Sequence, residues 1–230
     1  MRLAILLSLL MSGAAQTAPA QPGTELYQIV FLKPDPARKP ITKEEAERIQ
    51  TAHMANIHEM ADRDLLIAAG PFGDKVVTVS GIFVFQNISL AEARTIAAGD
   101  PTVTAHRNLV EVYSWRGPQG LGQEYKRLHA ADPKTPEGMG IQPFAMLYRT
   151  NQSPGAAPEH EAYLTKLRQS GKLATSGPVP GQEPLAEILI FHRIPDSEAE
   201  ELVKADPAVA NGSYRVELHR WWCAEHVLPH

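Results

Sequence analysis

The feature that most constrains this chain is an internal duplication. "HMANIHEMADRDLLIAAGPF", starting at His53, aligns with "HEAYLTKLRQSGKLATSGPV", starting at His160. His53 precedes Gly70 by 17 residues, and His160 precedes Gly177 by the same 17. The register persists: "GIFVF" ends at Phe85 and "EILIF" at Phe191, and 15 residues after each comes an Asp-Pro, at Asp100 and Asp206. Glu111 in "VEVYSW" and Glu217 in "VELHRW" follow at equal spacing, and Trp115 and Trp221 close the match. Asp35-Pro36 and Asp132-Pro133 fall outside this register, so the spacing and not the dipeptide carries the information. A repeat of this length means two copies of one supersecondary unit.

Each copy reads as strand, helix, strand, strand, helix, strand. In the first these are "LYQIVFLK", a helix through His53 to Asp62, "LLIAAG", "VVTVSGIFVF", "LAEARTIAA" and "LVEVYSW"; the second runs from "PFAMLYRT" to "YRVELHRW". Thr42 with Glu45, and Ser89 with Glu92, have the spacing of capping boxes at the two helices of the first copy. A βαββαβ order predicts an α+β ferredoxin-like sandwich, a four-stranded antiparallel sheet with both helices on one face. That leaves the other face of each sheet to be covered, and two equivalent sheets in one chain can cover each other. Along the last strands Val110 and Val112 alternate with Glu111, Tyr113 and Trp115, and Val216 and Leu218 with Glu217, His219 and Trp221. The valine side suits the helices. The acidic and aromatic side suits either a ligand-holding inter-sheet surface or a partly wet exposed face, so Glu111, Tyr113, Glu217 and His219 are candidate ligand-binding residues.

Around the copies, "MRLAILLSLLMSGAAQTAPAQ" has a charged start, a short apolar run and small residues for cleavage, so residues 1–20 read as a secretory signal peptide and the product as periplasmic or secreted. The copies are expected over 25–117 and 142–222. Residues 118–141, rich in Gly and Pro, read as a linker with one short helix, and 223–230 as a disordered tail. One cysteine, Cys223, permits no internal disulfide. A net charge of -4 without a basic block argues against a nucleic-acid surface, and no further long apolar run argues for a membrane segment once the leader is removed. A small-molecule ligand is the partner that remains.

In a βαββαβ unit the start of the first helix, the end of the second helix and the hairpin between the middle strands share one end of the sheet. His53 and His160, Asp100 and Asp206, and the Gly70-Pro71 and Gly177-Pro178 steps are therefore expected to converge, making the His and Asp residues candidate catalytic groups and Gly70 and Gly177 part of a ligand site. An Asp at a helix C-terminus faces the negative end of the dipole at a cost of about 0.3–1 kcal/mol, which a neighbouring imidazole would offset. Such an Asp would fix the ring's tautomer and leave its other nitrogen for acid/base work. Alternatively Asp-Pro simply starts a turn, the side chain bonding its own backbone. His53 and His58 are about 140° apart on a helix and share no metal, and Cys223, His226 and His230 lie in the tail, so no metal site is expected. No nucleophile-elbow, phosphate-loop or dinucleotide pattern occurs.

These residues, "AHMANIHEMADRDLLIAAGPF" with "LAEARTIAAGDPTV" and the closing "VEVYSW", resemble the YCII-related domain family across both copies. The resemblance implies a dimeric α+β barrel, formed here within one chain, with active-site residues at His53/Asp100 and His160/Asp206. It implies no cofactor, and it brings lyase, isomerase and dehydrohalogenation chemistry into view. The first copy departs by carrying more residues before its His, 22 from Phe31 against 12 from Tyr148 to His160, and His219 stands where the first copy has Tyr113. The reading is thus an exported small-molecule enzyme using a His-Asp acid/base pair without metal. The rival is a non-catalytic ligand-binding or assembly module.

Overall fold

Strand β1 (Thr24–Pro34) shows how the chain sorts its side chains: Tyr27, Ile29 and Phe31 point one way, Val30 and Leu32 the other, and all five are buried. A strand buried on both faces needs two covers, and the computed structural model, which describes residues 23–150, 158–181 and 184–229, supplies both. The leader expected over 1–20 lies outside the described residues. In the first copy β1 is followed by α1 (Lys43–Asp62), β2 (Leu66–Pro71), β3 (Gly81–Phe85), α2 (Leu90–Ala98), the short α3 (Pro101–Thr104) and β4 (Asn108–Pro118). After α4 (Gln123–Ala131) the second copy repeats the order with β5 (Gly140–Arg149), α5 (Pro158–Gln169), β6 (Leu173–Pro178), β7 (Leu185–Phe191), α6 (Asp196–Lys204), the short α7 (Pro207–Ala210) and β8 (Tyr214–Cys223).

The strands form two antiparallel sheets ordered β2-β3-β1-β4 and β6-β7-β5-β8, the ferredoxin-like order expected of each copy. Val30, Leu32, Phe83, Phe85 and Val112 pack under the first copy's helices with Met60, Ala93 and Ala97. Ala145, Leu147, Leu189 and Phe191 do the same with Leu164, Leu167, Ala199 and Val203 in the second. The opposite faces meet in a third core that includes Ile29, Phe31, Trp115, Phe144, Met146, Ile188 and Trp221. Burial of each such large side chain contributes about 1.5–3 kcal/mol, so the inter-sheet core holds the two copies together.

Edge strands close the barrel at two related seams, β4 beside β6 and β2 beside β8. Trp115 Nε1 donates to the Gly177 carbonyl at 3.1 Å, and Gly73 N donates to the Arg220 carbonyl at 2.8 Å beside a bridge between Phe72 and Trp221. A Cβ on Gly177 would come closer than 3.0 Å to the Arg116 carbonyl oxygen, and one on Gly70 closer than that to the Trp222 carbonyl oxygen. Glycine at both positions lets the two backbones touch.

Several expectations need correction. The Thr42 cap forms, accepting from Glu45 N at 3.2 Å, but Glu45 turns to Arg48 instead of completing the box; the Ser89/Glu92 box is complete. The C-terminal segment is not a disordered tail. Cys223 lies in β8, and Val227 and Leu228 are buried in the inter-sheet core with Leu121. The linker helix α4 is tied to that segment, Gly122 N donating to the Val227 carbonyl and Tyr125 N to that of His226. Strand register equates Phe31 with Met146, two residues before Tyr148, so the first copy's extra stretch is two residues shorter than the sequence alignment implies.

Candidate active site

Asp100 stands between two helices: α2 has just ended at Ala98, and Asp100 is the N-cap of α3, whose first residue is Pro101. It therefore lies at the positive end of a new helix start, and the dipole penalty expected from its place after α2 is relieved locally. The turn contact and the imidazole contact coexist, because the carboxylate has two oxygens. Oδ1 accepts from Thr102 N at 2.9 Å and Thr102 Oγ1 at 2.6 Å, which is the turn. Oδ2 is 2.8 Å from His53 Nδ1 and accepts from Asn56 Nδ2 at 2.9 Å. His53 and Asn56, three apart on α1, share one helix face. A second layer follows: Asn108 Nδ2 donates to Thr102 Oγ1, and Ser80 Oγ to Asn108 Oδ1.

Asp100 is fully buried. Burial alone would raise its carboxyl, but the bonds from His53 and Thr102 and the imidazole's charge outweigh that and hold it below the usual carboxylate range. An ionised carboxylate only accepts, so Nδ1 carries the proton toward Asp100. Nε2 of His53 has no hydrogen-bond partner among the described residues, and the ring, 13% exposed, lies against Phe83.

The second copy repeats the pair and then closes it. His160 Nδ1 is 2.7 and 2.8 Å from the two carboxylate oxygens of Asp206, the N-cap of α7. Its Nε2 is 2.8 Å from Glu187 Oε2, and His160 is 0% exposed. Burial would depress the imidazolium, but the hydrogen bonds to Asp206 and Glu187, with their charges, push it up to about 10. Burial in turn pushes Glu187 upward against the pull of His160. Glu187 pairs with Leu147 and Pro178, and the same place in the first copy, paired with Leu32 and Pro71, is Gly81. A Cβ at Gly81 would sit 2.8 Å from the Gly70 carbonyl oxygen. One strand position thus separates an open imidazole from a locked one.

The remaining sequence candidates lie elsewhere. Gly70 and Gly177 do not join the His-Asp pairs. Gly70 is opposite Ile82 on the inter-sheet face, whereas His53 packs on Phe83 beneath the helices; both glycines serve the seams. Glu111, Tyr113, Glu217 and His219 also face the other sheet, as their alternation predicts. Glu111 pairs with Lys33 at 2.9 Å and Glu217 with Arg215 at 2.5 Å, while the Arg215 guanidinium covers the Tyr148 ring at 4.4 Å. Burial, reinforced by Glu217, Tyr113 and Glu111, raises the Tyr148 phenol. His219 is 4% exposed, its Nδ1 2.7 Å from Asp74 Oδ2 of the first copy. Sequence reasoning missed Asn56, Thr102, Asp74 and Glu187; only Glu187, a charge inside the apolar run "LAEILIF", left a signal. Two open hollows, of about 340 Å³ beside Lys39 and His106 and about 410 Å³ beside His192 and Arg193, contain none of the sequence candidates.

Two ferredoxin-like sheets packed face to face in one chain define a dimeric α+β barrel protein. The YCII-related domain model matches residues 28–116 and 144–221, and the chain belongs to that family as two tandem copies. No curated protein sequence matches it. Among solved structures it is similar to a protein provisionally named a chlorite dismutase, at 10% identity and TM-score 0.54, covering 88% of this chain and 96% of that one. It is also similar to a heme-binding protein from Thermus thermophilus, at 13% identity and TM-score 0.51, covering 88% and 95%. A provisionally named monooxygenase from Lactobacillus acidophilus aligns at 14% identity and TM-score 0.42, covering 85% and 92%. The first two likenesses show the fold.

Proposed function

We propose that the protein is a small-molecule enzyme of lyase or isomerase type whose working acid/base pair is His53 with Asp100, a pair that needs no metal to act. The observation that carries this reading is the contrast at Nε2: without a partner among the described residues on His53, occupied by Glu187 on His160. With Nδ1–H held by Asp100, the Nε2 lone pair takes a proton from a substrate C–H or O–H, and Asp100 stabilises the imidazolium that forms. The proton then passes to the leaving group or to the carbon being reprotonated; in a dehydrohalogenation the halide leaves with the carbon–halogen electron pair and the proton passes to water. Asn56 and Thr102 keep Asp100 from turning away while the charge moves. A positioned imidazole of this kind contributes about 10²–10⁴ in rate.

The heme of one structural neighbour does not transfer. Among the described residues the inter-sheet core between the two sheets is packed with Phe31, Phe144, Trp115 and Trp221, where a macrocycle would have to sit. The net charge of -4 disfavours nucleic acid, and no helix among the described residues is long and apolar enough to cross a membrane. We extend the proposal to export: the leader-like composition of residues 1–20 supports a periplasmic or secreted product.

A thermal-shift screen of small carbonyl, phenolic and halogenated compounds against the wild type, His53→Ala and Asp100→Asn tests the reading. Compounds that stabilise the wild type are expected to lose their effect in His53→Ala, and halogenated ones to release halide only with His53 present. Ligands that bind His53→Ala as they bind the wild type, with no turnover by either, would overturn it.

A further inference from the structure

The closed imidazole of the second copy has three carboxylates around a ring that offers at most two N–H donors. Asp206 takes Nδ1, Glu187 takes Nε2, and Glu161, in the first turn of α5, adds a third carboxylate. One donor atom from each of His160, Glu161 and Glu187 lies within 4.8 Å of the others. Glu187 is 5% exposed, and among the described residues its hydrogen-bond partner is His160, through Oε2. Glu161 forms no hydrogen bond or ion pair among them. Buried carboxylates in excess of their cationic partners are costly, and a divalent cation is the compact remedy. Both added carboxylates belong to the second copy alone, since Met54 and Gly81 hold the matching places in the first.

We propose that His160 Nε2, Glu187 and Glu161 form a site for a divalent transition-metal ion, with Asp206 bracing the ring from behind. The ion replaces the proton shared by His160 Nε2 and Glu187 Oε2, which leaves to solvent. Tetrahedral coordination at about 2.0–2.2 Å places donors about 3.4 Å apart, so the His160–Glu187 contact opens from 2.8 Å while the half-buried Glu161 side chain rotates inward. One nitrogen and two carboxylates suit ions such as Zn²⁺ or Mn²⁺ and leave a position for water. Asp206 accepting from the ring's other N–H is the usual outer support of a metal-bound histidine. The site is separate from His53 and leaves the acid/base proposal unchanged.

The full chain, stripped with EDTA and dialysed, is titrated calorimetrically with ZnCl₂ and with MnCl₂, and bound metal is counted after gel filtration. One ion per chain is expected, with affinity weakened at least tenfold in Glu161→Gln and Glu187→Gln and unchanged in His53→Ala. Glu161→Gln alters a half-buried helix position and keeps the test decisive where Glu187→Gln fails to fold. No saturable binding of either ion up to about 1 mM, or one-to-one binding that Glu161→Gln leaves within threefold of wild type, would overturn the proposal.

Discussion

Gly177→Ala is expected to strain the barrel at one seam without touching either histidine. The added methyl falls within 3.0 Å of the Arg116 carbonyl oxygen and 3.0 Å from Trp115 Nε1. Both obstacles are rigid, one being backbone and the other a fully buried indole. Overpacking of this kind costs about 1–3 kcal/mol. Opening the seam also stretches the bond from Trp115 Nε1 to the Gly177 carbonyl, and a buried donor left unsatisfied adds about 1–3 kcal/mol. A total of about 2–6 kcal/mol is a large share of a typical stability of about 5–15 kcal/mol, and at about 2–4 °C per kcal/mol for a chain of this size lowers Tm by roughly 4–24 °C. Gly171→Ala is the control: φ is +71°, but nothing lies within 4 Å of the added carbon, so only left-handed strain of about 1–2 kcal/mol applies. Urea unfolding followed by tryptophan fluorescence measures both. A Gly177→Ala chain no less stable than Gly171→Ala would refute the seam as described.

Three other outcomes follow from the site and core. His53→Ala should lower turnover of any substrate found by about 10²–10⁴ and cost about 1–3 kcal/mol of stability because buried Asp100 loses a hydrogen-bond partner, and Asn56→Ala should lower kcat with little change in KM; equal activity in His53→Ala would be the failing result. Because the folded Asp100 carboxyl is held below its ordinary value, its contribution to stability is present above the unfolded value near about 3.9 and is lost as the pH falls through the lower folded one. Urea unfolding from pH 5 to pH 3 should therefore decline less steeply in Asp100→Asn than in wild type, and parallel slopes would count against it. Burial pushes the Cys223 thiol up to about 12, so it should resist a disulfide reagent at neutral pH and react fully in urea; rapid labelling of the native chain would show that the C-terminal segment does not cover it.

The duplication made most of this fold legible, because equal spacing in two copies fixes the element order and the alternation in β4 and β8 fixes which side chains face the other sheet. The His-Asp pairs were legible for the same reason. Glu187 escaped because the repeat itself hides it: the first copy has Gly81 there, and a comparison that rewards agreement passes over the position where the copies differ. The Asp74–His219 contact joins residues 145 apart in different copies, and no local pattern announces such a pair. Val227 and Leu228 form too short an apolar stretch to show a period, and their burial depends on a groove that exists only after α4 and the barrel end are in place. The partial Thr42 cap failed for a local reason, since Arg48 offers Glu45 a charged partner one turn along.

The difference between the two imidazoles can be measured without knowing a substrate. Diethylpyrocarbonate modifies accessible unprotonated imidazole nitrogen, and peptide mass spectrometry locates each adduct. In the native, EDTA-treated chain His53 should acquire the label at Nε2, and His160, enclosed by Asp206 and Glu187, should stay unlabelled until the chain is unfolded. Equal labelling of the two, or a protected His53 beside a reactive His160, would contradict the division of labour between the copies.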